Sequence, residues 1–280
     1  ILGKMLNKLM RPIFNVPGEG AFPFIMGIIS GYPVGAKIVA DFKKQGLCSD
    51  IEAERLIAFT NNSGPLFIIG TVGIGLFKDT KTGILLLITH IFACITVGIL
   101  FRWWKNSKNK RSTSFIETSN KLPSKISLSN LGEVLASSIM NSISTIFLIG
   151  GFVVLFSVVI SILNSSGCIE LISSFLSPIF KTFGIPSKYI KGIIIGLIEL
   201  TNGVCSIALI ASKNISTNII ICAFLLGFGG ISVALQVLSI TSKNGISIKP
   251  YLLGKFLQGC FAAFYTYLIL NNFCFLNLDL

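Results

Sequence analysis

Charged residues are scarce in this sequence of 280 residues. Asp, Glu, Lys and Arg make up only 12% of it, whereas a soluble domain carries about 25%. Disordered chains and coiled coils need far more charge, so both are excluded. Apolar residues make up 52%, and there are 27 glycines besides. The composition therefore favours a polytopic membrane protein over an ordinary soluble enzyme.

Residues that bind metals or perform catalysis are few and scattered. The sequence has one histidine, His90, and seven cysteines, none of them spaced as CxxC. This pattern supports neither a metal site nor a disulfide framework, and no nucleophile–base pair is visible in the sequence. No GxxxxGK[ST] sequence is present, so a phosphate-binding loop of that type is excluded. We therefore expect no enzyme, no metal and no cofactor.

The excess of positive charge is local. The net charge is +12, and a cluster of cations with a single acid, Glu117, occupies residues 102–126. Such clusters between apolar segments are typical of cytoplasmic loops, whereas a nucleic-acid-binding domain spreads its charge over a folded surface. We therefore predict a basic cytoplasmic loop at 102–126, and no nucleic-acid partner.

Three apolar segments have the length of a membrane span, which is about 20 residues. They predict helices at 82–101, 143–163 and 250–271. Lys255 and Gln258 interrupt the last of them. We assign His90 to helix packing and Gln258 to interhelical hydrogen bonding.

Four other apolar segments are interrupted by glycine, proline and polar residues. The interruptions are SGYPVG (30–35), TNNSGP (60–65), ELTNG (199–203) and GFGGIS (227–232). Unpaired backbone cannot face lipid, so broken helices at membrane depth are buried in protein or line a cavity. Simple kinks are the alternative, because Gly and Pro are common in transmembrane helices. The polar residues at every break favour a functional site.

The breaks recur in the same order in both halves of the chain. We predict re-entrant hairpins at 22–46 and 188–211 and discontinuous helices at 50–77 and 216–241. A capping box of Ser49 and Glu52 marks the start of the helix at 50–77. The repeats then cover 1–101 and 127–280. Paired broken helices in inverted repeats are found in many secondary transporters. We therefore expect an all-α polytopic membrane protein with a two-fold inverted repeat, which requires 169–183 to lie on the outer surface.

The strings SGYPVGAK (30–37), FTNNSGP (59–65) and ELTNG (199–203) resemble the sporulation integral membrane protein YlbJ family, also called SpoVV. The resemblance runs over nearly the whole chain. It implies a nucleoside-recognition gate domain and a fold related to the concentrative nucleoside transporter core. It also implies a multi-pass protein of the bacterial cell membrane, in the mother-cell-derived outer forespore membrane, that moves dipicolinic acid during endospore formation. Family members are longer at the N-terminus, so we expect the natural chain to extend upstream of Ile1.

Dipicolinate is a planar ring with two carboxylates, so its site needs N–H and hydroxyl donors, a cation and a flat wall. Half-helix N-termini supply such donors. The same polar side chains have an alternative role, which is to satisfy backbone groups at the breaks. The candidate substrate-binding residues are Ser30, Gly31, Tyr32, Lys37, Thr60, Asn61, Asn62, Ser63, Gly64, Glu199, Thr201, Asn202, Gly203, Gly229, Gly230 and Ser232.

Two charged residues within the apolar segments have alternative roles. Glu199 is a candidate for coupling transport to H⁺ or Na⁺, since intramembrane carboxylates are costly and usually functional. Its alternative is to satisfy nearby backbone as a neutral carboxyl. Lys37 either faces the ligand, pairs with Asp41 at i,i+4, or extends to the membrane interface.

Two other functions stay open at this point. A nucleoside-like metabolite is an alternative substrate, because a shared fold does not determine the substrate. A membrane scaffold for spore assembly, without transport, is the other alternative. Polar breaks favour transport over the scaffold. The expected partners are the lipid bilayer, a small anionic metabolite and, as a further option, other copies of the chain in a homo-oligomer.

Overall fold

The protein is helical throughout the residues that its computed structural model describes, which are 2–105, 131–182, 184–212 and 215–272. Most of the predicted basic loop lies outside these ranges. The α-helices are α1 (Leu2–Phe14), α2 (Ala21–Ser30), α3 (Val34–Lys44), α4 (Asp50–Thr60), α5 (Thr80–Phe101), α6 (Leu131–Ser165), α7 (Cys168–Thr182), α8 (Ile190–Ile198), α9 (Leu200–Ala208), α10 (Ser216–Phe228), α11 (Gly230–Thr241) and α12 (Lys249–Asn272). A π-helix covers Leu66–Leu76, and short 3₁₀-helices cover Gly18–Gly20, Ser187–Tyr189 and Ser242–Asn244.

Several helices are long and apolar enough to cross a membrane. Among the described residues these are α5, α6, α12 and the segment Ser216–Asn244, which contains α10 and α11. A fifth candidate is the pair Leu6–Phe14 and Gly18–Ser30, which is bent by 88°. The architecture is that of a polytopic membrane protein, in agreement with the composition.

Side-chain caps fix the starts of two helices next to the site. Ser49 and Glu52 form the predicted capping box at α4, with a Ser49 N–H to Glu52 carboxylate distance of 2.9 Å. Helix α5 begins at Thr80, two residues earlier than predicted, and Asp79 is its N-cap. The Asp79 carboxylate accepts hydrogen bonds from the backbone N–H groups of Lys81 and Thr82. Partial burial alone raises the pKa of Asp79, but these bonds and the Thr82 hydroxyl outweigh it and lower the pKa.

Helix α6 is longer than the predicted 143–163, because it begins at Leu131. Its first turns contain several serines, whose hydroxyls donate back to carbonyls one turn earlier and so have their hydrogen bonds satisfied within the helix. The Ser138 hydroxyl lies 2.7 Å from the Val134 oxygen, and the Ser142 hydroxyl 2.8 Å from the Ser138 oxygen. Because these hydroxyls bond within their own helix, serines can extend it beyond the apolar run, and the apolar run alone underestimates the length of the helix.

The segment predicted to lie on the outer surface forms a helix of its own, α7. It has 15 residues, fewer than the about 20 that cross a bilayer core. An ion pair of 2.7 Å between Glu170 and Lys191 joins α7 to the first turn of α8. The Lys191 hydrogen bond lowers the pKa of Glu170. On which side of the membrane α7 lies stays a prediction.

Glycines allow the helices around the site to pack backbone against backbone. A Cβ on Gly27 or on Gly35 would overlap the carbonyl oxygen of Thr60, so α2 and α3 both pack directly against the backbone at the end of α4. Helix α12 approaches α4 as closely, because a Cβ on Gly254 would lie 2.5 Å from the Ala58 oxygen. These contacts bring the ends of the broken helices into one region.

Candidate functional site

The interruptions of the helices occur at four places. Residues 31–33 separate α2 from α3, and residues 61–65 separate α4 from the π-helix. Glu199 separates α8 from α9, and Gly229 separates α10 from α11. We call these places the first hairpin tip, the first break, the second hairpin tip and the second break.

The second break contacts both hairpin tips. Gly229 and Gly230 have φ angles of 84° and 82°, which only glycine adopts readily. A Cβ on Gly229 would lie 3.0 Å from the Tyr32 hydroxyl oxygen, and one on Gly230 would lie 3.3 Å from the Ile198 carbonyl oxygen. The second break therefore lies between the two tips, with no room for larger residues.

The first break joins the same group of contacts. A Cβ on Gly31 would lie 3.0 Å from the Gly64 nitrogen. The hydroxyls of Tyr32 and Ser63 both donate to the Leu226 carbonyl oxygen of α10, at 3.1 Å and 3.5 Å. All four places are thus linked, and we call their meeting point the junction.

Some of the predicted residues at the junction serve the backbone. The side-chain oxygen of Asn61 accepts from the Ala36 N–H at 3.4 Å, so it helps to cap α3 from another helix. By contrast, the Thr60 hydroxyl, the Asn61 side-chain nitrogen and the Ser232 hydroxyl are buried, and within the described residues they have no hydrogen-bond partner. Buried polar groups are normally satisfied, so these atoms are available to a ligand or to water.

The predicted residues of the second hairpin mostly hold that hairpin together. The Glu199 carboxylate caps α9 by accepting from the N–H groups of Thr201 and Asn202, at 3.0 Å and 2.8 Å. The Asn202 side chain donates to the Ser157 hydroxyl of α6 at 2.8 Å. Gly203 closes the hairpin, because a Cβ there would overlap the backbone of Gly196. Glu199 thus occupies the helix N-terminus that a substrate carboxylate would otherwise use.

Two of the predicted residues lie apart from the junction contacts. Ser30 is exposed at the end of α2. The Lys37 ammonium lies 3.5 Å from the Thr145 hydroxyl of α6. Within the described ranges no carboxylate lies within 4 Å of Lys37, so the alternative of an i,i+4 pair with Asp41 does not form.

A buried network that the sequence prediction did not assign to the site adjoins the first break. Lys255 of α12 donates to the side-chain oxygens of Gln258, at 2.7 Å, and Asn62, at 3.4 Å. Gln258 in turn donates to Asn62 at 2.8 Å and lies 3.3 Å from a ring nitrogen of His90 in α5. The Asn62 side-chain nitrogen donates to the Phe59 carbonyl oxygen at 2.9 Å. The predicted interhelical role of Gln258 is confirmed, while the one sequence signal for Lys255 was a cation inside an apolar run.

Comparison with known proteins now adds to this geometry. The sporulation integral membrane protein YlbJ of Bacillus subtilis (strain 168) is 34% identical to this chain over 280 residues, covering 96% of the chain and 68% of that protein. The chain belongs to the YlbJ family. No solved structure matches it.

The Gate family, described as nucleoside recognition, matches residues 146–244 of this YlbJ-family protein. The matched region begins inside α6 and ends after α11, so it includes the second hairpin tip and the second break. This chain therefore has a gate-type helical region in its second half. The match and the apolar helices together identify a multi-pass membrane protein with a transporter-like domain.

Proposed function

We propose that this YlbJ-family protein is a secondary-type transporter that moves a small anionic metabolite, dipicolinate, across the outer forespore membrane during endospore formation. The observation that carries the proposal is the junction, where Tyr32, Gly64, Gly229 and Ile198 bring the interrupted helices together. Secondary transporters build substrate sites near the bilayer midplane from such helices. A scaffold has no need of polar interruptions in its apolar segments.

The proposed architecture is a two-fold inverted repeat related to the concentrative nucleoside transporter core. The order of elements supports it, because a hairpin, a broken helix and a long helix occur as α2–α3, α4 with the π-helix, and α5, and again as α8–α9, α10–α11 and α12. Single cysteines introduced at Gln45 and Leu209, each in a chain otherwise free of cysteine, would be labelled from opposite sides of the membrane. Labelling of both from one side would contradict the inversion.

Within the junction we propose a division of roles among the candidate residues. Tyr32, Asn62, Ser63 and Ser232 are buried or half-buried beside the breaks and are the proposed substrate contacts. Glu199 is the proposed residue for coupling to H⁺ or Na⁺. Its oxygens cap α9 by accepting from the N–H groups of Thr201 and Asn202, and carboxylate oxygens are also the ligands that a proton or Na⁺ would take.

A nucleoside-like metabolite is the second candidate substrate. The observation that favours it is the Gate match over residues 146–244, whose description is nucleoside recognition. The matched region includes the second hairpin tip and the second break, which form half of the junction.

Transport by purified protein in proteoliposomes tests these proposals. Labelled dipicolinate and labelled uridine are offered separately, under H⁺ or Na⁺ gradients and without a gradient. Uptake of dipicolinate alone supports the proposed function, and uptake of uridine alone supports the second candidate. Uptake of neither supports a scaffold role. The molecular mass of the purified particle, measured in the same preparation, distinguishes a monomer from the homo-oligomer that we propose as a further option.

A further inference from the structure

Lys255 is a buried cation without a buried anion. It is 1% exposed and lies in the second turn of α12. Its nitrogen donates to two neutral amide oxygens, those of Gln258 and Asn62. Among the described residues no carboxylate lies within 4 Å of it. An ammonium at this position would cost several kcal/mol without a counter-charge, and a bound anion would remove that cost.

The packing of α12 holds Lys255 at this place. Gly254 allows α12 to contact the Ala58 carbonyl of α4. Gly259 allows α12 to contact α10, because a Cβ on Gly259 would lie 2.8 Å from the Phe224 carbonyl oxygen and one on Gly227 would lie 2.7 Å from the Gly259 Cα. Gly254 and Gly259 lie on either side of Lys255 and Gln258. The ammonium is thereby kept between the first broken helix and the second, and cannot reach lipid headgroups as a surface lysine would.

The surroundings of Lys255 are those of the junction. Its nitrogen lies 5.2 Å from the ring centre of Tyr32 at the first hairpin tip, and Asn62 belongs to the first break. The hydroxyls of Tyr32 and Ser63 donate to Leu226 just before the second break. A cation, amide groups and an aromatic ring thus meet where the four interruptions meet.

We propose that Lys255 is the anchoring cation of an anion site at the junction, and that the ligand it selects is a small carboxylate. A carboxylate supplies the counter-charge that the described neighbours do not, and a charge-assisted hydrogen bond to an ammonium is about twice as strong as a neutral one. The Tyr32 ring provides a flat wall beside it, which suits a planar ring acid. A neutral nucleoside leaves the ammonium without a counter-charge, so the site discriminates against it.

This inference rests on the proposed function, since it assigns the charge that would recognise an anionic substrate. It differs from a purely structural role for Lys255, in which the ammonium only ties Asn62 to α12. In the structural role, removal of the charge would change stability alone. In the proposed role, removal of the charge changes the preference between carboxylates and neutral ligands.

The test is a thermal-unfolding assay of the purified protein in nanodiscs, titrated with dipicolinate, benzoate, succinate and uridine at constant ionic strength. A ligand that binds the folded state raises the unfolding temperature in proportion to its occupancy. We expect at least one carboxylate to raise it in the wild type. Lys255→Met should weaken that carboxylate by at least about 30-fold, the lower bound for losing one partner of a buried charge pair. Lys255→Arg should retain most of the binding.

The matched control is Lys249→Met, the same change at an exposed position of the same helix, which should bind carboxylates as the wild type does. If Lys255→Met does not fold, Lys255→Gln keeps a hydrogen-bonding group and still removes the charge. An unchanged carboxylate shift in the folded neutral variant overturns the inference, and so does the absence of any carboxylate shift in the wild type. If succinate or benzoate binds through Lys255 while proteoliposomes take up no dipicolinate, the proposed substrate is wrong and the inference stands.

Discussion

The hydroxyl of Tyr32 donates a hydrogen bond to the backbone carbonyl of Leu226, 3.1 Å away, across 194 positions of the sequence. Tyr32 lies at the first hairpin tip, and Leu226 lies three residues before Gly229 at the second break. The carbonyl belongs to the last turn of α10, where it has no helical N–H partner further along the chain. Together with the longer bond from Ser63, at 3.5 Å, the Tyr32 hydroxyl satisfies a backbone group that the second break creates and joins the two halves of the protein.

Removing the Tyr32 hydroxyl should destabilise the junction, while the ring still fills its place there. Tyr32→Phe keeps the ring and deletes the donor, so we expect the free energy of unfolding to fall by about 1 kcal/mol, the net value of one hydrogen bond. Thermal unfolding in detergent measures the change. The control is Tyr267→Phe, because Tyr267 is 50% exposed on α12. Equal effects of the two substitutions would show that the bond to Leu226 contributes nothing specific.

The close approach of α2 to α4 makes a second prediction. In an exposed helix Gly→Ala is favourable by about 1 kcal/mol, but a Cβ on Gly27 would overlap the Thr60 carbonyl oxygen. Overpacking against rigid backbone costs about 1–3 kcal/mol or more, so Gly27→Ala should be destabilising despite the better helix propensity. The yield of monodisperse protein and the unfolding temperature measure it.

Gly150→Ala is the matched control for Gly27→Ala. Gly150 is also inside an apolar helix, α6, but a Cβ there would meet no atom within 4 Å. We expect this variant to be as stable as the wild type. If both substitutions are tolerated, the tight contact between α2 and the end of α4 does not exist in the membrane.

Local features of the fold were predictable because they depend on neighbours in sequence. The capping box of Ser49 and Glu52 follows from a spacing of three residues, and the helix interruptions follow from Gly, Pro and polar residues inside apolar runs. The start of α6 was misplaced for a local reason as well, since Ser and Thr hydroxyls can donate to their own helix.

The partners of polar side chains could not be predicted in the same way. Asn61 caps α3 rather than its own helix, and Lys37 reaches Thr145 of α6 instead of Asp41. Lys255 and Gln258 are three residues apart, so they lie on the same face of α12. The sequence does not reveal that Asn62 packs against that face. Such contacts depend on how helices pack, which apolar periodicity alone does not specify in a chain with apolar residues on all sides of its helices.

Arg55 of α4 joins its own helix to the two chain segments that contain Asn15 and Trp104. Its guanidinium donates to the Trp104 carbonyl oxygen, at 3.1 Å and 2.8 Å, and to the Asn15 carbonyl oxygen at 2.9 Å. A lysine has no planar fork and cannot serve both carbonyls. Arg55→Lys should therefore lower the free energy of unfolding by about 1–3 kcal/mol, measured by thermal or denaturant unfolding.

The same substitution at Arg11 provides the comparison for Arg55. Arg11 makes an exposed ion pair of 2.7 Å with Glu52, and exposed ion pairs contribute less than about 1 kcal/mol. Arg11→Lys should therefore have little effect. An Arg55→Lys variant that is no less stable than Arg11→Lys would mean that the bonds to Trp104 and Asn15 are replaced by water.

Glu199 caps α9 and is also the proposed coupling residue, and substitutions can separate these two roles. Asn is as good an N-cap as Asp or Ser, and it carries no charge. Glu199→Asn should therefore keep the unfolding temperature of the wild type while abolishing the dependence of transport on an H⁺ or Na⁺ gradient. Glu199→Ala loses the bonds to the Thr201 and Asn202 N–H groups and should lower stability by about 1 kcal/mol.

Uptake into proteoliposomes with and without each ion gradient, together with thermal unfolding of the same variants, measures both effects of changing Glu199. If Glu199→Asn still responds to the gradient, the carboxylate serves only as a cap and the coupling ion binds elsewhere. If Glu199→Asn is as unstable as Glu199→Ala, the cap needs the longer side chain, and Glu199→Gln then becomes the neutral variant for the coupling test. A stable Glu199→Asn protein that transports without a gradient would assign coupling to the charge and capping to the oxygen.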